Sequence, residues 1–479
     1  MNKLPMSWCA IPLGQEVEFK KGKKPEFLHG MPNEDLVPYV DIKAFEKGNI
    51  RQYADQSSGV IAEANDTLMV WDGARSGLVG NGIAGVIGST LMRIRPKSSN
   101  RNYLHKFLKY KFNQINSNTK GTGIPHVSPE FLFGIDIPLA PLSEQKRIAD
   151  KLDAVLARVD ACRDRLDRIP AILKRFRQSV LAAATSGKLT EEWRADQVAR
   201  MQPQAESGNI VRDSAQSRYA VTSTPDSATL HPGYEVDFDQ KNALPASWRE
   251  VTFADVCREI TVGYVGKMSD QYLETGVPFL RSMNVRAFRF DQKGLLYISP
   301  EFHKKNFKSV LQPGDLAIVR TGAPGICCVI PEDISEANCS DLVIARPGSE
   351  LLSQYGCIFM NSTFAADFVK ANKVGVAQAH FNVGSMKVTP LPLPPIVEQT
   401  EIVRRVEALF AYADRFETRH KAARAQVEKL TPAALAKAFR GELVPQDPND
   451  EPASVLLARI HAQRNDPRVG KPSRSRRRQ

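Results

Sequence analysis

The stretch IADKLDAVLARVDACRDRLDRIPAILKRFRQSV, residues 148–180, places apolar side chains at Ile148, Leu152, Val155, Val159, Cys162, Leu166, Ile169, Leu173, Phe176 and Val180. Steps of four and three alternate without a break, so these side chains share one stripe of a helix, the pattern by which paired helices bury a common seam. The pattern returns 254 residues later at Ile402, Val406, Leu409, Ala413, Phe416, His420, Ala423, Val427 and Leu430. This second stripe is weaker, with small residues and one histidine. Pro141 and Pro395 precede the two runs, and Gly187 and Gly441 follow them, as helix boundaries require. Pro170 lies inside the first run and is expected to kink or interrupt it. About 44 residues at 1.5 Å each make a rod of roughly 65 Å. Two rods of equal length in one chain are expected to bury their seams against each other, antiparallel, about a pseudo-twofold axis.

Outward from the rods, the rest of the chain also repeats. Leu4-Pro5-Met6-Ser7-Trp8 returns as Leu244-Pro245-Ala246-Ser247-Trp248, an offset of 240. Asn65-Asp66 faces Gly314-Asp315, and Arg95-Pro96 faces Arg346-Pro347. His126 faces His380, and Pro138-Leu139-Ala140-Pro141 faces Pro392-Leu393-Pro394-Pro395, where the offset has settled at 254. Between 143–189 and 397–443, 13 of 47 positions are identical and the register never slips. Each half therefore has a front of variable length and a back of fixed length. The expected domains are 1–142, a spacer helix at 143–194, a polar linker at 195–243, a second front at 244–395, a distal spacer helix at 396–441, and a C-terminal helix with a basic tail at 442–479. The fronts read as mixed α/β, with strand-like runs such as Leu68–Trp71 and Leu316–Val319 between Gly/Pro/Asp turns. The fold class is α+β.

Lys and Arg outnumber Asp and Glu by 65 to 53, a formal charge of +12, which suits a polyanionic partner. The seven cysteines are scattered, without C-x-x-C spacing or neighbouring histidines, so no zinc site is expected. No signal peptide and no membrane-length apolar run is visible, and a cytoplasmic location is expected.

Catalytic motifs are missing. Val79-Gly80-Asn81-Gly82-Ile83-Ala84-Gly85 matches G-x-G-x-x-G, but a strand-like run follows where a dinucleotide loop needs a helix. A glycine-rich hairpin is the expected structure. Gly187-Lys188 and Gly266-Lys267 lack the Ser/Thr and spaced glycine of a P-loop. No Asn/Asp-Pro-Pro-Tyr segment, H-E-x-x-H or G-x-S-x-G occurs.

Paired loops in the two fronts read better as contact surfaces. In the first front the candidates for DNA contact are Lys20, Lys21, Lys23, Lys24, Arg75, Thr122, His126 and Ser128. In the second they are Lys267, Arg281, Asn284, Arg320, Gln378, His380 and Asn382. Lysine clusters hold phosphates, whereas Arg, Asn, Gln and His on Gly-rich loops present donors and acceptors to base edges. A coiled-coil scaffold that organises protein partners without reading DNA is the competing expectation.

The block Ile137-Pro138-Leu139-Ala140-Pro141-Leu142-Ser143-Glu144-Gln145-Lys146-Arg147-Ile148 resembles the central region of specificity subunits of type I restriction–modification systems. So do Lys174–Leu181 and Gly187–Arg194, while Lys437–Val444 looks like their distal region. The resemblance implies two target recognition domains, each reading one half of a split, asymmetric DNA site, with a coiled coil between them. It implies as partners two modification (methyltransferase) subunits that bind S-adenosylmethionine, and restriction subunits that use ATP and Mg. No cofactor and no catalytic residue is then expected on this chain. His420 and Lys437, at apolar positions of the second rod, depart from a clean seam.

Overall fold

The computed structural model describes residues 4–121, 123–201, 244–372 and 380–458. The chain divides into two compact units, Met1–Arg168 with His420–Gln479, and Ile169–Arg419. Thr122, Gln378, most of the polar linker and the basic tail lie outside the described residues.

The first unit holds two four-stranded sheets. One is antiparallel, in the order Val17–Lys21, Leu91–Pro96, Thr67–Val70 and Val79–Asn81. The other runs Tyr53–Asp55, Leu36–Val40, Gly85–Ile87 and Ile61–Ala62, with its two central strands parallel. Residues 88–90 carry the chain from the second sheet into the first. The first sheet is covered by the helix Arg101–Asn116, whose Tyr103, Leu104, Phe107 and Leu108 are fully buried. A two-stranded ladder, Cys9–Pro12 against Asp136–Leu139, closes the unit beside the first long helix.

The second unit repeats this plan strand for strand. Its antiparallel sheet runs Cys257–Val262, Leu342–Pro347, Leu316–Val319 and Cys327–Val329. Its mixed sheet runs Leu296–Ile298, Val277–Leu280, Ala337–Cys339 and Val310–Leu311, again with a parallel centre. Arg249–Thr252 pairs with Pro390–Leu393 as the closing ladder. The units differ where they meet solvent. The helix Ile42–Lys47 of the first has in its place a hairpin, Val285–Arg286 with Arg289–Phe290, in the second. The repeated Asp and Arg of the sequence are a conserved-in-place ion pair within each unit. Arg95 bonds Asp66 at 2.5 and 2.7 Å, and Arg346 meets Asp315 at 3.3 Å.

The glycine-rich segment 79–85 is not a hairpin. Val79–Asn81 pairs with Thr67–Val70, whereas Gly85–Ile87 belongs to the mixed sheet. The glycines permit a crossing between layers: a Cβ on Gly82 would lie 1.9 Å from the Glu63 carbonyl oxygen, and on Gly85 2.1 Å from that of Pro38. No helix follows, which removes the dinucleotide reading.

The long helices are Leu142–Ser186 and Ile396–Phe439, each unbroken through an internal proline, Pro170 or Pro432. Pro170 therefore does not interrupt its helix. Within the first unit, Ile148 and Leu152 share a core with Leu435, Ala438 and Phe439. Further along, His420 Nε2 donates to the Leu166 carbonyl at 2.9 Å, and Arg424 pairs with Asp167. The two segments thus run antiparallel. Within the second unit, Val180, Leu181 and Ala184 pack with Ile402 and Val406, and Arg177 reaches Asp414 at 2.6 Å and Glu417 at 3.1 Å. These segments are antiparallel too.

Three expected seam positions are corrected. Phe416 is 39% exposed and Leu430 48% exposed, and Cys162 is exposed as well. In the second helix the covered stripe continues from Ala413 through Glu417, His420, Arg424, Val427 and Thr431 to Leu435. A step of four replaces the expected three after Ala413. An α-helix turns every 3.6 residues, so a strict 3.5-residue stripe drifts off the contact face unless the helices supercoil or the pattern skips. The remaining seam residues, Val155, Val159, Leu166, Leu173, Phe176 and Leu409 among them, are buried or half-buried.

Both helices end on a left-handed glycine against the repeated Leu-Pro-x-Ser-Trp motif. Gly441 has φ +76°, and a Cβ there would stand 2.4 Å from Pro5 Cγ; Gly187 has φ +82°, with Pro245 Cγ at 2.5 Å. Gly441→Ala should therefore destabilise the first unit by about 1–3 kcal/mol, through both backbone strain and overlap with the proline ring. Gly30→Ala, where nothing lies within 4 Å of the added carbon, is the matched control. Urea unfolding of both variants reads the difference, and equal midpoints would refute the close packing at Gly441.

Candidate nucleic-acid interface

The crossover between sheets is where the candidate residues gather. In the first unit Gly22 N donates to Leu91 O at 2.9 Å, Gly88 N to Val40 O at 2.9 Å, Trp71 N to Thr90 O at 2.8 Å and Val127 N to Trp71 O at 2.9 Å. The loops at 20–24, 71–77 and 125–128 thus converge on residues 88–90. In the second unit Gly263 N donates to Leu342 O at 2.8 Å, Ser340 N to Leu280 O at 3.0 Å, Arg320 N to Asp341 O at 3.4 Å and Phe381 N to Arg320 O at 3.1 Å. The frame is the same, and Ser340-Asp341 is its crossover. Backbone hydrogen bonds fix the loops, so the side chains they carry are free to differ between units.

Around the first frame, Lys20 is exposed and Lys21 pairs with Asp72 at 3.1 Å, its ammonium 5.9 Å from the Trp71 ring centroid. Lys23 and Lys24 are exposed. Gly22, between Lys21 and Lys23, is forced by crowding, since a Cβ there would sit 2.2 Å from the Gly88 carbonyl oxygen. Arg75 is exposed and paired with Glu46. His126 is half-buried in a short ladder with Thr119–Lys120.

Around the second frame, Lys267 is exposed and lies 3.0 Å from Asp270. Arg281 donates from Nη2 to Gly294 O at 3.0 Å and rests over the Tyr272 ring. Arg320 and His380 are half-buried, and Arg320 Nε and His380 Nδ1 are enclosed without a hydrogen-bond partner among the described residues.

Three candidates spend their side chains on the loops themselves. Ser128 is buried and caps the helix Pro129–Gly134 by accepting from Phe131 N. Asn382 caps the helix Val383–Lys387 by accepting from Ser385 N at 2.8 Å. Asn284 is fully buried, donating to Asp291 O at 2.9 Å and accepting from Arg281 N at 3.0 Å. Ser and Asn at loop-to-helix junctions mimic backbone partners in this way, and sequence alone does not separate that use from ligand contact.

Residues that the sequence reading passed over also stand on the frame. Asp341 has φ +55°, and its carboxylate accepts from the hydroxyls of Thr321 and Ser282. In the first unit Thr90 stands where Asp341 does, and Asp72, at the place of Thr321, pairs with Lys21. The one available signal was Ser340-Asp341 between two apolar strand runs, a turn dipeptide whose aspartate tolerates the left-handed region.

Among the described residues no group of three or more His, Cys, Asp or Glu is placed to hold a metal ion. No described helix is long and apolar enough to cross a membrane.

Residues 5–171 and 346–425 match the family described as type I restriction modification DNA specificity domain. The chain is 30% identical over 486 residues to the EcoBI type I restriction enzyme specificity subunit of Escherichia coli, covering 96% of this chain and 92% of that one. It is 33% identical over 368 residues to the EcoKI specificity subunit of Escherichia coli strain K12, covering 74% and 69%. In fold it is similar to the HsdS subunit from Thermoanaerobacter tengcongensis, with a TM-score of 0.55 at 20% identity over 92% of this chain and 98% of that one. A chain from a study of complex assembly and conformational transition of the type I R-M system gives a TM-score of 0.62, also at 20% identity, over 92% and 100%.

Proposed function

The chain belongs to the type I restriction–modification DNA specificity family, and on that premise we propose that its two units each read one half of a split, asymmetric DNA site. DNA sequence specificity is the function of this subunit. The observation that carries the bipartite reading is the repeated loop frame: one backbone scaffold occurs in each unit, with Trp71, Asp72 and Thr90 on the first and Arg320, Thr321 and Asp341 on the second. Equal scaffolds with unequal side chains suit two readers of different sequences.

The two long helices form an antiparallel coiled-coil spacer in this proposal, and the halves are related by a pseudo-twofold axis. The contact between His420 and Leu166 supports it. These residues occupy the same place in the two copies, 254 apart, and a residue touching its own counterpart is what an axis through the pair requires. The pairing of unlike segments within each unit supports it further, because each helix contributes its start to one unit and its end to the other.

The subunit works without catalysis of its own. Its partners are double-stranded DNA, two methyltransferase subunits carrying S-adenosylmethionine, and restriction subunits using ATP and Mg. The exposed Lys23 and Lys24 hold phosphates, and their contribution is the same for every sequence.

Filter binding of the full chain to random-sequence duplex at two salt concentrations tests DNA contact. Steep loss of binding with salt is expected, and Lys23→Ala and Lys24→Ala should each lower the slope by about one. A flat salt response would favour the protein-assembly scaffold instead.

A further inference from the structure

We propose that Arg320 is the base-reading side chain of the second unit, taking the edge of a guanine in the major groove, and that Asp341 is the positioning residue that presents it. The inference rests on the reading that the second unit contacts DNA, and it deepens that reading to one residue and one base.

Other arginines on the candidate loops are engaged. Arg75 is paired with Glu46, and Arg281 is bonded through Nη2 to Gly294 O and laid on Tyr272, although its Nε, like that of Arg320, is enclosed without an acceptor among the described residues. Arg286 and Arg289 both face Asp291, at 3.6 and 3.9 Å. Arg320 has no ion pair or side-chain hydrogen bond among the described residues, and its Nε is shielded from water without an acceptor. A shielded, unpaired donor costs folding free energy that a ligand acceptor would return.

The natural acceptor is close by and already taken. Arg320 N donates to Asp341 O, so the two residues are neighbours across the crossover. Yet the Asp341 carboxylate accepts from Thr321 Oγ1 and from Ser282 Oγ, the latter at 3.4 Å, and not from the guanidinium. Ser282 Oγ also lies 3.3 Å from Asp341 O. Asp341 therefore ties together the loops at 282 and 321 while leaving the guanidinium of Arg320 uncommitted. Its φ of +55° makes the sharp passage from one sheet to the next, a conformation aspartate accepts and most side chains do not.

Geometry selects the ligand. A guanidinium offers two parallel N–H donors, and guanine is the base whose major-groove edge offers two adjacent acceptors, O6 and N7. A phosphate also accepts a fork, but it carries no sequence information. The first unit has Trp71 at the place of Arg320, so the guanine contact belongs to one half-site only.

The test sequences duplexes captured by the full chain from a random pool, for the unsubstituted protein, Arg320→Lys, Arg320→Ala, Asp341→Asn and Asp341→Ala, with a hydroxyl-radical footprint of each complex. Arg320→Lys keeps the charge and loses the fork. Preference for guanine should fall about tenfold to a hundredfold at one position of one half-site in both Arg320 variants, with the other half-site unchanged. Asp341→Ala should weaken the same position, and Asp341→Asn, which keeps an acceptor and the backbone tolerance, should restore most of it. Full retention of guanine preference by Arg320→Lys would overturn the base-reading role in favour of a phosphate anchor. Equal losses at both half-sites would overturn it in favour of a folding role. A footprint covering only one half-site in the unsubstituted protein would instead overturn the underlying reading that the second unit touches DNA.

Discussion

Arg194→Ala is expected to destabilise the second unit by about 3–5 kcal/mol, because it strands a carboxylate inside the protein. Glu398 is 2% exposed, and its Oε1 accepts from Arg194 Nη1 at 2.5 Å and from Thr190 Oγ1 at 2.7 Å. Arg194 also donates to Gly187 O at 2.8 Å and lies over the Trp248 ring, so its loss loosens the end of the first long helix. The repeat supplies an internal control. Glu144 occupies the equivalent place in the first unit, fully buried, and accepts from Trp8 Nε1 at 2.9 Å and Gln446 Nε2 at 2.6 Å. Burial raises its carboxyl above the ordinary value, and the hydrogen bonds from Trp8 and Gln446 hold that rise back. Gln446→Ala removes a neutral donor and should cost less, about 1–3 kcal/mol. Urea unfolding of both variants measures the two losses; an Arg194→Ala loss below that of Gln446→Ala would show that Glu398 reaches water when unpaired.

Lengthening both long helices by four residues, after Arg168 in the first and after Arg419 in the second, should move the half-sites apart without changing either. Four residues add about 6 Å of rise and slightly more than one turn, so the covered stripe stays close to its original face. Six ångströms is close to two base-pair steps of about 3.4 Å. Both helices must be extended together, since the antiparallel contacts at Leu166–His420 and Arg177–Asp414 run between them. Binding to synthetic duplexes of graded gap length reads the outcome. The optimum should shift by about two base pairs, and an unmoved optimum would end the spacer proposal.

Much of this was legible in the residues. The stripe from Ile148 to Val180 and its echo from Ile402 announce two long helices, and the Leu-Pro-x-Ser-Trp repeat announces duplicated fronts. Phe416 and Leu430 were misplaced because a seven-residue period and a 3.6-residue turn part company after Ala413. The helix Glu191–Met201 extends into the expected polar linker. Five of its eleven residues are apolar, two of them alanine, and its end charges fit a helix as well: Glu191 and Glu192 in the first turn and Arg200 in the last complement the helix dipole. The crossover was not legible. Asp66 with Arg95 and Asp315 with Arg346 could be paired as repeats, but only strand order shows that each pair sits beside a passage between sheets. Lys23, Lys24 and Arg320 were picked out by residue type and loop context. Ser128, Asn284 and Asn382 share that context and are caps, a distinction that depends on which backbone N–H each side chain faces.

The most direct test of the central claim is to sequence the duplexes that the unsubstituted full chain retains from a random pool at moderate salt. Two short sequence blocks, different from each other and separated by a constant unread interval, are the expected result. A single continuous block, or two blocks at variable separation, would contradict two readers held by one spacer.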